Sequence, residues 1–202
     1  MKIKLGWCGL FILCVLASAF RSALAEWVRC EVDGQFSVQL PVAATEMDML
    51  QVFASQGVTP SPEQAQVLKS MKVFTATDGA ANYMVTRMAT GLAASLEEPG
   101  NRTRFYDGAV NGVLLKEHGT LLQRAAFTVN GTEGVEVRYR GVHKGTGKKV
   151  IKYNRWLAVG PVVYMLAVYP VDRNDSTGVG LQEPRTKFFN SMAYRPSPAP
   201  SK

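Results

Sequence analysis

Thiol and imidazole are scarce in this chain. Its 202 residues hold three cysteines and two histidines. Two of the cysteines, Cys8 and Cys14, lie in an N-terminal stretch that reads as a leader, which leaves Cys30 alone in the remainder. A single cysteine cannot close an intramolecular disulfide, so the fold has to rest on its hydrophobic core. Cys30 alternates with polar neighbours and is expected as a buried small hydrophobe. One cysteine with His118 and His143 falls short of the four protein ligands of a structural zinc site. No G-x-S-x-G is present, and neither histidine lies in a recognisable base motif, so nucleophilic catalysis has no support. Gly145-Thr146-Gly147-Lys148-Lys149 lacks the spacing of a phosphate loop. No acidic pair stands out for glycoside hydrolysis, and no cofactor is implied. The only long hydrophobic run is Leu5 to Phe20, which at 16 residues is shorter than a membrane span of about 20. No internal repeat occurs.

What is present begins with that run. Met1 to Lys4 is cationic, Leu5 to Phe20 apolar, and Ala23-Leu24-Ala25 supplies small residues at alternate positions, as a cleaved signal peptide over residues 1–25 would. Trp7 and Leu13 precede the leader cysteines where a lipoprotein signal wants a small residue, which argues against a lipid anchor. Cleavage after Ala25 removes Lys2, Lys4 and Arg21, leaves 177 residues and lowers the formal charge from +7 to +4. The expectation is a single mildly basic domain over 26–194, periplasmic or secreted and not membrane-spanning after cleavage, with a disordered Pro/Ser tail over 195–202.

Within the domain, Val28, Cys30 and Val32, then Phe36, Val38 and Leu40, alternate about Asp33-Gly34, a hairpin signal with both turn residues expected at positive φ. Met49, Leu50 and Phe53 suit a short helix stopped by Gly57. Ser61-Pro62 then opens another helix, with Ser61 as N-cap. Val73–Thr77 and Tyr83–Met88 read as a strand pair, and 91–100 as a loop. Phe105, Tyr106, Ala109, Val110, Val113 and Leu114 form an apolar stripe that predicts a helix over Thr103–Glu117. Gly108 and Gly112 weaken it, and their smallness would allow a close approach to a sheet. Strands follow at Leu121–Val129, Thr132–His143, Lys149–Val159 and Val162–Tyr169, the first two joined by Asn130-Gly131. The last run is apolar on both faces and must be covered on both. Glu183–Ser191 closes the domain as a helix, with Phe188, Phe189 and Met192 inward.

The order of these blocks resembles the PsbP-like superfamily, named for an extrinsic photosystem II subunit. It also includes a Ran-binding import factor and small exported bacterial proteins. The matching pieces are Gly34-Gln35-Phe36-Ser37-Val38-Gln39-Leu40-Pro41, the helix around Tyr106, Asn130-Gly131-Thr132-Glu133-Gly134-Val135-Glu136-Val137, Val163-Tyr164-Met165-Leu166-Ala167-Val168 and Phe188-Phe189-Asn190-Ser191-Met192. The resemblance implies an α+β domain, an α/β/α sandwich around an antiparallel sheet. It implies a non-enzymatic accessory or binding role and transfers no catalytic residue. Met47 to Ser70 is longer than the usual link in that family.

The strongest functional candidate is a basic hairpin. Arg138, Arg140, Lys144, Lys148, Lys149, Lys152 and Arg155 lie within 18 residues free of acids. On adjacent strands they would form one positive surface for a protein or anionic envelope partner, nucleic acid being unexpected outside the cytoplasm. The bland alternative is a lysine-protected sheet edge. A second class of function is a small periplasmic enzyme or ligand carrier, with a pocket between helix and sheet lined by Tyr106, His118 and Tyr164. Asp172, Asn174, Ser176 and Glu183 approximate a calcium loop, with Thr177 where the sharp turn wants glycine. Asn101, Asn130 and Asn174 each begin an N-x-[ST] triplet.

Overall fold

In the computed structural model the described residues are 26–90, 96, 98–143 and 145–196. The expected signal peptide, Lys144 and residues 197–202 of the tail lie outside them. Two antiparallel sheets organise the domain. β1 (Val28–Glu31), β2 (Phe36–Leu40) and β10 (Ala193–Tyr194) form a small one, with β2 central. The large sheet has β3 (Thr45–Met47), β4 (Lys72–Thr77), β5 (Ala81–Ala89), β6 (Thr120–Val129), β7 (Thr132–Val142), β8 (Lys149–Val159) and β9 (Val162–Pro170), in the spatial order β3-β4-β5-β9-β8-β7-β6. The doubly apolar strand β9 therefore sits at the middle. Tyr164, Leu166 and Val168 enter one core, while Val163 and Met165 enter the other.

One face of the large sheet, here the hairpin face, is covered by the small sheet and by α4 (Gln182–Asn190). Phe36 stacks on Tyr164 at 4.1 Å, and Phe188 meets Tyr83 edge-on at 5.3 Å. The opposite face, the helix face, carries α3 (Pro99–Lys116), whose Tyr106 and Val110 pack on Val135, Val137 and Trp156. The fold is thus an α+β sandwich with an antiparallel sheet at its centre, one outer layer being part helix and part small sheet. α1 (Met49–Ser55) and α2 (Pro62–Ser70) flank the β4 side. α2 starts with a capping box, in which the Gln64 amide donates to Ser61 Oγ and the Ser61 amide to Gln64 Oε1. Among the described residues no helix is long and apolar enough to cross a membrane.

Several expectations change. α3 begins at Pro99, inside the segment expected as a loop, because proline is well suited to the first helical turn. Asn130 and Gly131 both take positive φ, as expected for a tight hairpin. Asp33 and Gly34 do not. There the Asp33 carboxylate shapes the turn, its Oδ1 accepting from the amides of Gln35 at 2.9 Å and Phe36 at 2.8 Å. β3 and β10 are too short to announce themselves by alternation. Beyond β10 the Arg195 amide donates to the Gln35 carbonyl at 2.7 Å.

Asp33 also ties the layers together. Its Oδ2 accepts from Arg87 Nε on β5 and from the Tyr164 hydroxyl on β9, each at 2.8 Å. Burial alone would raise its pKa, yet the bonds from Tyr164, Gln35, Arg87 and Phe36 hold it below the usual carboxylate value.

Candidate functional site

Alternation along the β7–β8 hairpin decides what its cations can do. Successive side chains point to opposite faces, and the register places Tyr139 opposite Lys152 and Glu136 opposite Arg155. Lys152 therefore belongs to the helix face, while Arg138, Arg140, Lys149 and Arg155 belong to the hairpin face. The structure does not bring the six described cations together as one surface, Lys144 lying outside the described residues. Arg155 is a bolt between sheet and α4: its Nε meets Glu136 Oε2 at 2.6 Å, and its Nη1 donates to the Phe189 carbonyl at 2.8 Å. Its guanidinium lies 4.6 Å from the Phe127 and Phe189 ring centres. Arg185 takes the other oxygen of Glu136 at 3.0 Å. Arg138 donates to the Thr177 carbonyl at 3.3 Å, and its Nε is buried without a partner. Arg140, Lys148 and Lys149 are exposed at the hairpin end.

The calcium-like loop is tied up internally. Asp172 Oδ1 accepts from the Asn174 amide at 2.8 Å, and Asn174 Oδ1 accepts from the Lys148 ammonium at 2.6 Å. No group of three or more His, Cys, Asp or Glu side chains is placed to hold a metal among the described residues. Gly178, at φ 71°, closes the loop over Ile151, where a Cβ would come within 2.8 Å of that side chain. Cys30 is buried in the core, and burial, followed by nearby Glu31 and Glu46, pushes its thiol pKa up, away from reactivity.

Tyr106, His118 and Tyr164 do not meet. Tyr106 is buried under α3, donating to the Glu133 carbonyl at 2.8 Å and accepting from the Ala158 amide at 2.9 Å. Tyr164 faces the opposite side of the sheet, and His118 is exposed after α3 at φ 45°. A cleft between helix and sheet nevertheless exists, built from other residues. α3 lies over β7 and β8 and leaves the helix face of β5 and β9 partly open. Two adjoining cavities, of about 550 and 450 Å³, run along this side of α3 and share Ala109, Trp156 and Met165. Both volumes fall within the range of ligand pockets.

The first cavity is floored by Met84, Met165 and Ala167, and it ends at a polar group around Asn154. Asn154 is 4 % exposed. Its Oδ1 accepts from the Tyr139 hydroxyl at 3.2 Å, while its Nδ2 makes no hydrogen bond with the described residues. Beside it Lys152 pairs with Glu117, their side chains 12 % and 13 % exposed, and Lys152 also donates to the Val142 carbonyl at 3.2 Å. Lys116, Tyr169 and His143 complete that end. Burial pushes the Tyr139 and Tyr169 phenols up, with Glu117 adding to both, so they stay protonated donors. The second cavity is almost wholly apolar, with Met71, Met88, Phe105 and Val163 in its walls.

Gly108 and Gly112 form the cleft wall where a regular helix would place side chains. The close helix–sheet approach expected of them is absent: a Cβ at either position meets nothing within 4 Å. Gly134 differs, because a Cβ there would come within 2.4 Å of the Phe127 ring and 2.6 Å of the Trp156 carbonyl. Packing requires Gly134. The two helical glycines each cost about 1 kcal/mol of helix stability relative to alanine, with no steric need inside the protein. Sequence reasoning flagged these glycines but assigned them to packing. Asn154, Lys116 and Glu117 gave no signal, since their convergence depends on strand register and on where α3 crosses the sheet.

No family model and no curated protein matches the chain. It is similar to the solution structure of cyanobacterial PsbP from Synechocystis sp. PCC 6803, with 12 % identity over 87 % of this chain and 96 % of that one, at a TM-score of 0.49. It is also similar to a Pseudomonas aeruginosa protein of unknown function, with 17 % identity over 65 % of this chain and 85 % of that one, at a TM-score of 0.40.

Proposed function

We propose that this is an exported, non-catalytic binding protein that holds an apolar small molecule in the cleft between α3 and the sheet. The observation that carries this reading is the pair of side-chain-free positions, Gly108 and Gly112, facing open space above an apolar floor. Ligand sites are commonly apolar hollows with a few convergent polar groups, which describes this cleft. Its lining holds no serine or cysteine nucleophile, and His143 Nδ1 is occupied by the Gly145 amide at 3.2 Å. The test is the fluorescence of 1-N-phenylnaphthylamine, an uncharged probe that brightens in apolar surroundings. It should brighten with the protein and quench Trp156 on the cleft floor. The Gly108→Leu/Gly112→Leu variant should fill the groove and remove both signals. A probe that never binds, or binds the filled variant equally well, sinks the reading.

A second reading concerns the cations exposed at the hairpin end. Arg140, Lys148 and Lys149 present positive charge at the tip of the β7–β8 hairpin, suited to an anionic envelope partner. Reversing all three to glutamate should abolish retention on vesicles containing phosphatidylglycerol at low salt, and unchanged retention would dismiss this surface.

A further inference from the structure

The distribution of polar groups along the cleft says what kind of molecule fits it. β5, β9 and β8 are paired with neighbours on both sides, so the floor offers no free strand edge. A peptide lying in the groove would bury its own amides and carbonyls without partners, at a cost per group that binding proteins avoid. The Met71, Met88 and Phe105 half offers little but hydrocarbon and thioether surface, of the adaptable kind that accommodates flexible apolar chains. Unused hydrogen-bonding capacity collects at the other end, at Asn154, a residue 4 % exposed whose Nδ2 makes no hydrogen bond with the described residues and borders the cleft, with the Tyr169 phenol beside it. Charge there is asymmetric: Glu117 neutralises Lys152, and Lys116 makes no ion pair among the described residues. The occupant must be apolar along most of its length and anionic at one tip.

Length narrows the class. From Arg104 to Lys116, the extreme α3 residues lining the two cavities, the helix rises about 18 Å. Half of a bilayer's hydrocarbon core, about 15 Å, is the reach of a single membrane acyl chain. We infer that the cleft binds a long-chain fatty acid, its chain running along Gly108 and Gly112 over Met165 and its carboxylate set between Lys116 and Asn154 Nδ2. This assignment rests on the cleft being a ligand site, and it goes further by naming the ligand class and its direction.

The test is competition against the uncharged probe, with palmitate and hexadecanol as paired competitors of equal chain length. Palmitate should displace the probe about tenfold more strongly than the alcohol, the scale of one charge-assisted contact. Lys116→Glu, a change at an exposed position, should remove that preference by weakening palmitate about tenfold while leaving hexadecanol within about twofold. The Gly108→Leu/Gly112→Leu variant should show no direct binding of radiolabelled palmitate while remaining folded, since leucine favours the helix more than glycine does. Equal displacement by palmitate and hexadecanol, or a preference that survives Lys116→Glu, would overturn the carboxylate assignment while probe binding stood. Failure of the probe itself to bind would remove the site altogether.

Discussion

Replacing Gly108 and Gly112 by alanine should stabilise the protein, and the amount follows from the geometry. Both sit in the interior of the 18-residue α3, away from either cap. An interior glycine is about 0.8–1.0 kcal/mol less favourable than alanine, because its unfolded backbone loses more freedom on folding. Neither new Cβ meets any atom within 4 Å, so no overpacking term opposes the gain. The double substitution should therefore add about 1.6–2 kcal/mol. For a domain of this size that is a rise in Tm of about 4–8 °C. Thermal denaturation followed by far-UV circular dichroism measures it, and urea unfolding should show a higher midpoint at unchanged slope. The two new methyl groups also project into the cleft, so probe affinity should fall even as stability rises. Opposite movements of stability and binding are the signature of positions kept open for a ligand. A lowered Tm would mean that α3 lies against the sheet at these glycines and that the cleft is closed, which refutes the argument.

Two further perturbations test the layers around the cleft. Asp33→Ala should lower stability by about 2 kcal/mol, because it strips the charged partner from Arg87 and Tyr164 and uncaps the Gln35 and Phe36 amides. Since the folded-state pKa of Asp33 lies below its unfolded value near 3.9, its contribution is full above about pH 5 and disappears as pH falls through the folded value. Chemical denaturation between pH 7 and pH 2.5 should then show a shallower acid decline in Asp33→Asn than in the parent, and parallel curves would contradict the sign. Glu136→Gln should cost about 3 kcal/mol, because Arg155 and Arg185 lose their shared counter-charge in a mostly buried setting. Arg140→Gln, on an exposed side chain of the same strand, should stay within about 0.5 kcal/mol. Equal effects in the two variants, measured by urea midpoint, would show that Glu136 is not the bolt described.

Local chemistry was readable wherever it is decided by neighbours in sequence. Ser61 and Pro62 start α2, and Asn130-Gly131 turns β6 into β7, because caps and tight turns need particular residues within three or four positions. The doubly apolar run from Val162 demanded cover on both faces, and β9 lies at the centre of a sheet with helices on either side. Phe188 and Phe189 had to face inward, and they do. Pairings far apart along the chain were settled only by tertiary structure. Asp33 finds partners 54 and 131 residues away, which no local pattern encodes. The acid-free run from Arg138 to Arg155 suggested a single charged surface, yet strand alternation divides it and acids outside the run engage Lys152 and Arg155. Glu136 and Glu117 are close in space to Arg155 and Lys152 because of register and helix placement. The scarcity of cysteine and histidine limited the chemistry from the outset. The open wall at Gly108 and Gly112 emerged only when α3 settled on the sheet, because a glycine's missing side chain has no meaning until its surroundings are known.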